Sequence, residues 1–194
     1  MTWKESLYNQ ENLNSYSMII LSNDPSLTAW GWSVYDTISK RIISYGVFKT
    51  APSPKKLKIR KGDDRVRRVQ ELSENLLKVI KEYRVDYIIS ELPHGSQSAV
   101  AAVMIGLCIG VLQSLSTSLS IPIEWYYEMD CKSMIFGRRD VSKEQVMSKM
   151  YTEFALPISP PKTMVEKEAV ADSLSILYTA MRCSEVIKLK LYEK

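Results

Sequence analysis

Along the first half of the chain apolar residues come in short bursts, and further on they fall into longer helical stripes. Residues 18–21, Met-Ile-Ile-Leu, make a burst of the kind that forms a buried strand, and the polar Ser22, Asn23 and Asp24 that follow leave that burial. A carboxylate is thereby delivered at a strand end. Pro25 stops the ladder, Ser26-Leu27-Thr28 turns the chain, and residues 31–36 alternate like a second strand returning beside the first. After a turn at Ser39-Lys40, residues 42–48 read as a third strand, completing an antiparallel meander.

Helical period begins after Pro52 and Pro54, with Asp63-Asp64 as a cap and Val66, Val69, Leu72, Leu76, Val79 or Ile80, and Tyr83 as one apolar stripe. Residues 86–91, Asp-Tyr-Ile-Ile-Ser-Glu, then repeat the opening pattern and place Glu91 at a second strand end. A right-handed helical crossover sets this strand parallel to the first, so Asp24 and Glu91 emerge at one edge. Residues 96–120 carry no charge, but their unbroken apolar part, 99–112, is too short to span a bilayer, and a buried helix is expected. Gly106 and Gly110, with Ala102 a turn earlier, leave a smooth groove on it. Residues 121–126 form a last strand, at an edge because of Pro122. Ser142 caps a helix backed by Glu144 and Gln145, and residues 165–181 form the final strong helix.

The element order predicts an α/β fold with a central five-stranded mixed sheet, antiparallel meander then parallel strands, flanked by helices. At 194 residues, 45% hydrophobic and 25% charged, the chain has the composition of one globular domain, assigned to residues 18–194 behind a flexible extension at 1–17. The net charge of +4 is modest but uneven, since residues 55–68 hold eight basic side chains against two acidic ones. Cys108, Cys131 and Cys183 have neither disulfide nor zinc spacing and suit a reducing, cytoplasmic interior. The polar start of the chain has no apolar signal segment, and no membrane association is expected.

Asp24 alone reads as a turn former that bonds its own backbone. Its companions change that reading: Glu91 shares its edge, and Glu168 and Asp172 lie four apart on one face of the last helix beside an apolar surface. Like charges so gathered raise one another's cost of ionisation, and a cation between them removes the penalty. The set offers only oxygen donors, which suit Mg²⁺ or Mn²⁺ and not zinc. Two such ions roughly 3.5–4 Å apart could activate a water and stabilise the leaving oxygen in phosphodiester cleavage.

These blocks resemble the RuvC family of Holliday-junction resolvases, which have the ribonuclease H-like fold. ILSNDPSLTAWGWSV is similar to the family's opening strand and its Gly-containing second strand, ISELP to the strand ending in the catalytic Glu, SKEQV to a segment with a functional lysine, and VADSLSI to the closing helix. The resemblance implies Mg²⁺ held by Asp24, Glu91 and Asp172, with Mn²⁺ able to substitute, and Lys143 close to the scissile phosphate. Lys132 falls near a second family lysine. Many relatives have an acid or His three residues before the last Asp; here that position is Ala169, with Glu168 as the substitute ligand. Ser26 stands where the family has Gly, and His94 where bacterial members present an aromatic side chain.

The implied activity is resolution of branched DNA by paired nicks that leave 5′-phosphate and 3′-hydroxyl ends. Arg65 and Arg68 in the basic stretch, the turn Gly137-Arg138-Arg139, Lys132, Lys143 and His94 are the DNA-contact candidates. The two-fold symmetry of a four-way junction implies a homodimer, with the 96–120 helix as candidate interface. The short length, the polar N-terminal extension and the divergence from bacterial versions point to a viral, bacteriophage-type member working in a host cytoplasm. Ala169 also keeps open an alternative, a junction-binding protein with weak or no cleavage.

Overall fold

Strand bursts and helical stripes fall where the pattern puts them in the computed structural model, which describes residues 17–94, 98–159 and 161–192. β1 (Ile19–Asp24), β2 (Ala29–Asp36) and β3 (Arg41–Lys49) form the antiparallel meander; β4 (Tyr87–Glu91) and β5 (Ile123–Tyr126) add parallel strands. The sheet order is β3-β2-β1-β4-β5, so β1 lies at the centre and β5 at an edge. Among the described residues six α-helices accompany it: α1 (Lys61–Tyr83), α2 (Ala99–Leu119), α3 (Glu128–Phe136), α4 (Lys143–Glu153), α5 (Met164–Cys183) and α6 (Glu185–Tyr192). Of the expected N-terminal extension only Ser17 is among the described residues, and its hydroxyl donates to Asp36.

Alternation along β1 divides the core into two layers. Ile20 joins Tyr87, Ile89 and the apolar face of α5 on one side, together with α3 and α4. Leu21 joins Trp30, Leu72, Leu76 and Ile88 on the other, under α1 and α2. α5 is the best-buried helix because Ala169, Val170, Ser173, Leu174, Ile176, Leu177 and Ala180 all turn inward, as their spacing predicts. Its start is secured by a capping box between Thr163 and Glu166, and α4 begins with the same device between the expected Ser142 and Gln145.

Several expectations are corrected. Ser22 and Asn23 do not leave the core; both are fully buried, with the Ser22 hydroxyl donating to the Ser173 carbonyl at 2.6 Å and Asn23 accepting from Trp30 Nε1 at 3.1 Å. Paired polar groups are tolerated where unpaired ones are not. α1 starts before Asp63, and the Asp64 carboxylate receives the Ser53 backbone and hydroxyl instead of capping its own helix; Val66 at that end is exposed. α2 is not a buried helix. Only Cys108, Leu112 and Ser116 are covered, while Val100, Val103 and Leu107 face outward. At 21 residues with mean hydropathy 2.0 it is, by length and composition, long enough to cross a membrane, yet it packs its buried face on the sheet layer beside α1. Residues 96 and 97 of the expected helix lie outside the described residues. α3 and α6 are helices that the hydrophobic pattern does not signal.

Candidate active site

Asp24 and Glu91 each stand one residue beyond the paired Asn23 and Ser90, on adjacent parallel strands. Both share a face with Ile20, Ser22 and Ile89, so their side chains point to the layer that holds α5. α5 is drawn close there by the Ser22–Ser173 hydrogen bond and by the approach of Ala169 to Gly31, the β2 partner of Asp24. This brings Asp172 into the same neighbourhood. The three acids expected to act together therefore do meet, from three elements distant in the chain.

Their electrostatics record the meeting. Burial, then the charges of Asp172 and Glu91, push the Asp24 carboxyl well above its usual range. Glu91 is raised to about 7 by burial, then by Asp172 and Glu128. Asp172 is raised to about 6, chiefly by burial; Glu128 and Glu168 add to the rise while Lys143 opposes it. Each of the last two shifts represents on the order of 3 kcal/mol against the charged form.

Around these inner acids lie two lysine–acid pairs. Lys143 Nζ donates to Glu168 Oε2 at 3.1 Å, and this bond raises the lysine's pKa. Lys132 Nζ pairs with Glu128 at 2.7 Å along α3. Glu128, Lys132, Lys143 and Asp172 line a cavity of about 20 Å³, room for roughly one water molecule. Glu168 thus shares the face of Asp172, adds its charge to it, and accepts a hydrogen bond from Lys143. Glu128 was not singled out by the sequence, although it sits just past the end of a strand as Asp24 and Glu91 sit at theirs.

An all-carboxylate, partly desolvated set fits a hard divalent cation in donor chemistry. Among the described residues no three His, Cys, Asp or Glu side chains are gathered tightly enough to hold an ion as they stand.

The DNA-contact candidates separate. Arg68 is a correction: it is only 7% exposed, donating to Thr50 Oγ1 at 2.8 Å and Thr28 Oγ1 at 3.1 Å, so it ties α1 to the turn after Asp24 and cannot meet a phosphate. Arg65 is partly exposed on the first turns of α1, beside the exposed Lys55, Lys56, Lys58 and Lys61. Arg138 and Arg139 are exposed after the left-handed Gly137 that ends α3; Arg138 faces Asp140 at 3.8 Å and Arg139 donates to Ser133. His94 stacks on Tyr127, centroids 4.3 Å apart and planes 6° off parallel. The sequence marks His94 of this pair as a stacking candidate, whereas Tyr127, at the start of α3, carries no such signal.

A mixed sheet in this order, antiparallel meander then parallel strands, flanked by helices, is the ribonuclease H-like fold. Within that class the resemblance to RuvC is borne out over most of the chain. It is 27% identical over 169 residues to the crossover junction endodeoxyribonuclease RuvC of Chlorobium phaeovibrioides, covering 86% of this chain and 82% of the relative. RuvC of Rickettsia bellii is 23% identical over 166 residues, covering 84% and 97%. Among solved structures, Thermus thermophilus RuvC in complex with a Holliday junction substrate superposes with a TM-score of 0.64 at 22% identity, covering 84% of this chain and 92% of that one. The yeast mitochondrial Holliday junction resolvase Ydc2 gives 0.61 at 10% identity, covering 98% and 88%. No protein-family model matches.

Proposed function

We propose that this protein is a structure-selective endodeoxyribonuclease that resolves four-way and other branched DNA by paired phosphodiester nicks, leaving 5′-phosphate and 3′-hydroxyl ends. The observation that carries the reading is the convergence of Asp24, Glu91 and Asp172 at one sheet edge with Lys143 beside them. Its relatives named as crossover junction endodeoxyribonucleases support it.

Asp24, Glu91 and Asp172, with Glu168 at the margin, would hold Mg²⁺, for which Mn²⁺ substitutes. When bound, the metal supplies Lewis-acid activation of water and stabilisation of the leaving oxygen. Lys143, kept protonated by Glu168, presents an ammonium where negative charge grows on a scissile phosphate. The flat His94–Tyr127 pair offers a face on which an unstacked base can rest. Arg65, Arg138 and Arg139 supply phosphate contacts that position the duplex without reading bases. A homodimer places two such pockets on opposed strands, with the exposed Val103 and Leu107 of α2 and the groove along Gly106 and Gly110 at its interface. The work belongs to the cytoplasm, that of the host if the source is viral.

The test is a synthetic four-way junction incubated with the purified protein in Mg²⁺. Symmetrically paired nicks, abolished by Asp24→Asn while junction binding persists, are expected; wild-type cleavage by Asp24→Asn would sink the proposal. The alternative, junction binding with weak or no cleavage, is favoured by one feature, the buried apolar Ala169 where many relatives have an Asp or His. Tight junction binding without metal-stimulated nicking would select it.

A further inference from the structure

The three adjacent parallel strands β1, β4 and β5 run to the same edge, and each delivers an acid there. Asp24 ends β1 and Glu91 ends β4; Glu91 is in register with Tyr126, and the chain reaches Glu128 two residues after that. Glu128 opens α3, whose N-cap Tyr127 stacks on His94. Glu128 lines the small cavity with Asp172, and its carboxylate reaches Lys132 on the next turn. Glu168, the other outer acid, is turned to Lys143 and does not line that cavity.

We propose that Glu128 is the fourth carboxylate of the site, leaving Lys132 to contribute an oxygen to the divalent cation alongside Asp24, Glu91 and Asp172. The inference rests on the nuclease reading above and names a residue that reading does not include. Geometry favours it over Glu168: a side chain just past the end of β5 extends the row begun by Asp24 and Glu91. The Glu128 charge also bears on all three inner acids. In this arrangement Lys132 is a competitor for the metal, holding Glu128 until an ion takes its place.

The experiment is Mn²⁺ titration of the full chain by calorimetry, without DNA, on wild type, Glu128→Gln, Asp130→Asn, Lys132→Met and the double variant Glu128→Gln/Lys132→Met. Asp130 is the exposed neighbouring acid of α3 and removes the same charge outside the cavity. Glu128→Gln is expected to weaken Mn²⁺ about tenfold or more, Asp130→Asn less than twofold, and Lys132→Met to tighten it. The double variant should stay weak, because a lost ligand is not restored by removing its lysine. Wild-type affinity in Glu128→Gln overturns the inference and leaves the nuclease reading intact. Recovery in the double variant also overturns it, reducing Glu128 to a residue that holds Lys132 in place. A wild-type protein that binds no Mn²⁺ while cleaving nothing overturns both.

Discussion

Gly31 and Ala169 touch so closely that a Cβ on Gly31 would stand 1.9 Å from the Ala169 carbonyl oxygen. No side chain fits there without moving α5, because the obstacle is backbone. Since Gly31 is paired with Asp24 and Ala169 sits one turn before Asp172, this contact sets the distance between two of the acids. Gly31→Ala is expected to destabilise the fold by about 1–3 kcal/mol or more and to depress junction cleavage beyond that loss. Urea unfolding beside cleavage assays at a temperature where the variant stays folded checks both.

The inner acids predict a pH-dependent stability whose sign can be worked out. Burial and neighbouring charge push Glu91 up to about 7 and Asp172 up to about 6 in the folded protein, whereas carboxyls of an unfolded chain lie at about 4. Below about 4 both states are protonated and the fold has its full stability. As pH rises toward 7 the unfolded chain gives up its protons first, so metal-free stability falls. In chelator, the wild-type melting temperature should drop between pH 5 and 7.5, and Asp172→Asn should be the more stable protein at pH 7.5, by on the order of 2–3 kcal/mol. Added Mg²⁺ should restore the wild type and leave Asp172→Asn little changed. A flat wild-type profile would contradict the buried cluster.

Lys143 is expected to act on the reaction, not on the fold, since its own side chain is largely exposed and its ion pair with the half-buried Glu168 is of the kind worth little. Lys143→Met should lower single-turnover cleavage about 10²–10³-fold with junction affinity within a few-fold of wild type. An unchanged cleavage rate would remove Lys143 from the mechanism.

Two arginines close in sequence should behave oppositely. Arg68→Leu strands the acceptors of Thr28, Thr50 and Leu27 and should cost about 1–3 kcal/mol of stability. Arg65→Ala should leave the melting temperature nearly unchanged and weaken DNA binding at low salt, reducing the salt dependence of affinity by about one phosphate contact. Reversed outcomes would show that the basic stretch had been assigned the wrong way round.

The exposed apolar face of α2 carries the prediction for assembly. Light scattering should show a dimer for the wild type, and Val103→Glu with Leu107→Glu should yield a folded monomer that binds junctions more weakly. A wild-type monomer at micromolar concentration would leave α2 without its proposed role.

The sheet was readable because its signals are local: four-residue apolar bursts, Pro25 after Asp24, and the hand of the crossover between β1 and β4. α3 was not readable, because the apolar residues of Glu-Met-Asp-Cys-Lys-Ser-Met-Ile-Phe form no stripe and only Cys131 is buried. The fate of α2 was hidden for the opposite reason. An uninterrupted apolar run states that a surface exists to be covered and does not state what covers it.

Strand length, turn placement and connection hand, all written in short segments of sequence, determined by themselves that Asp24 and Glu91 reach one edge and that Asp172 and Glu168 share a helix face. Only the tertiary structure decided which charges meet there: Arg68 went inward to the turn, Glu168 went to Lys143, and Glu128 arrived at the cavity of Asp172. The reason is that Coulomb and desolvation energies depend on separations between segments far apart in the chain, and those separations exist only once the layers are packed.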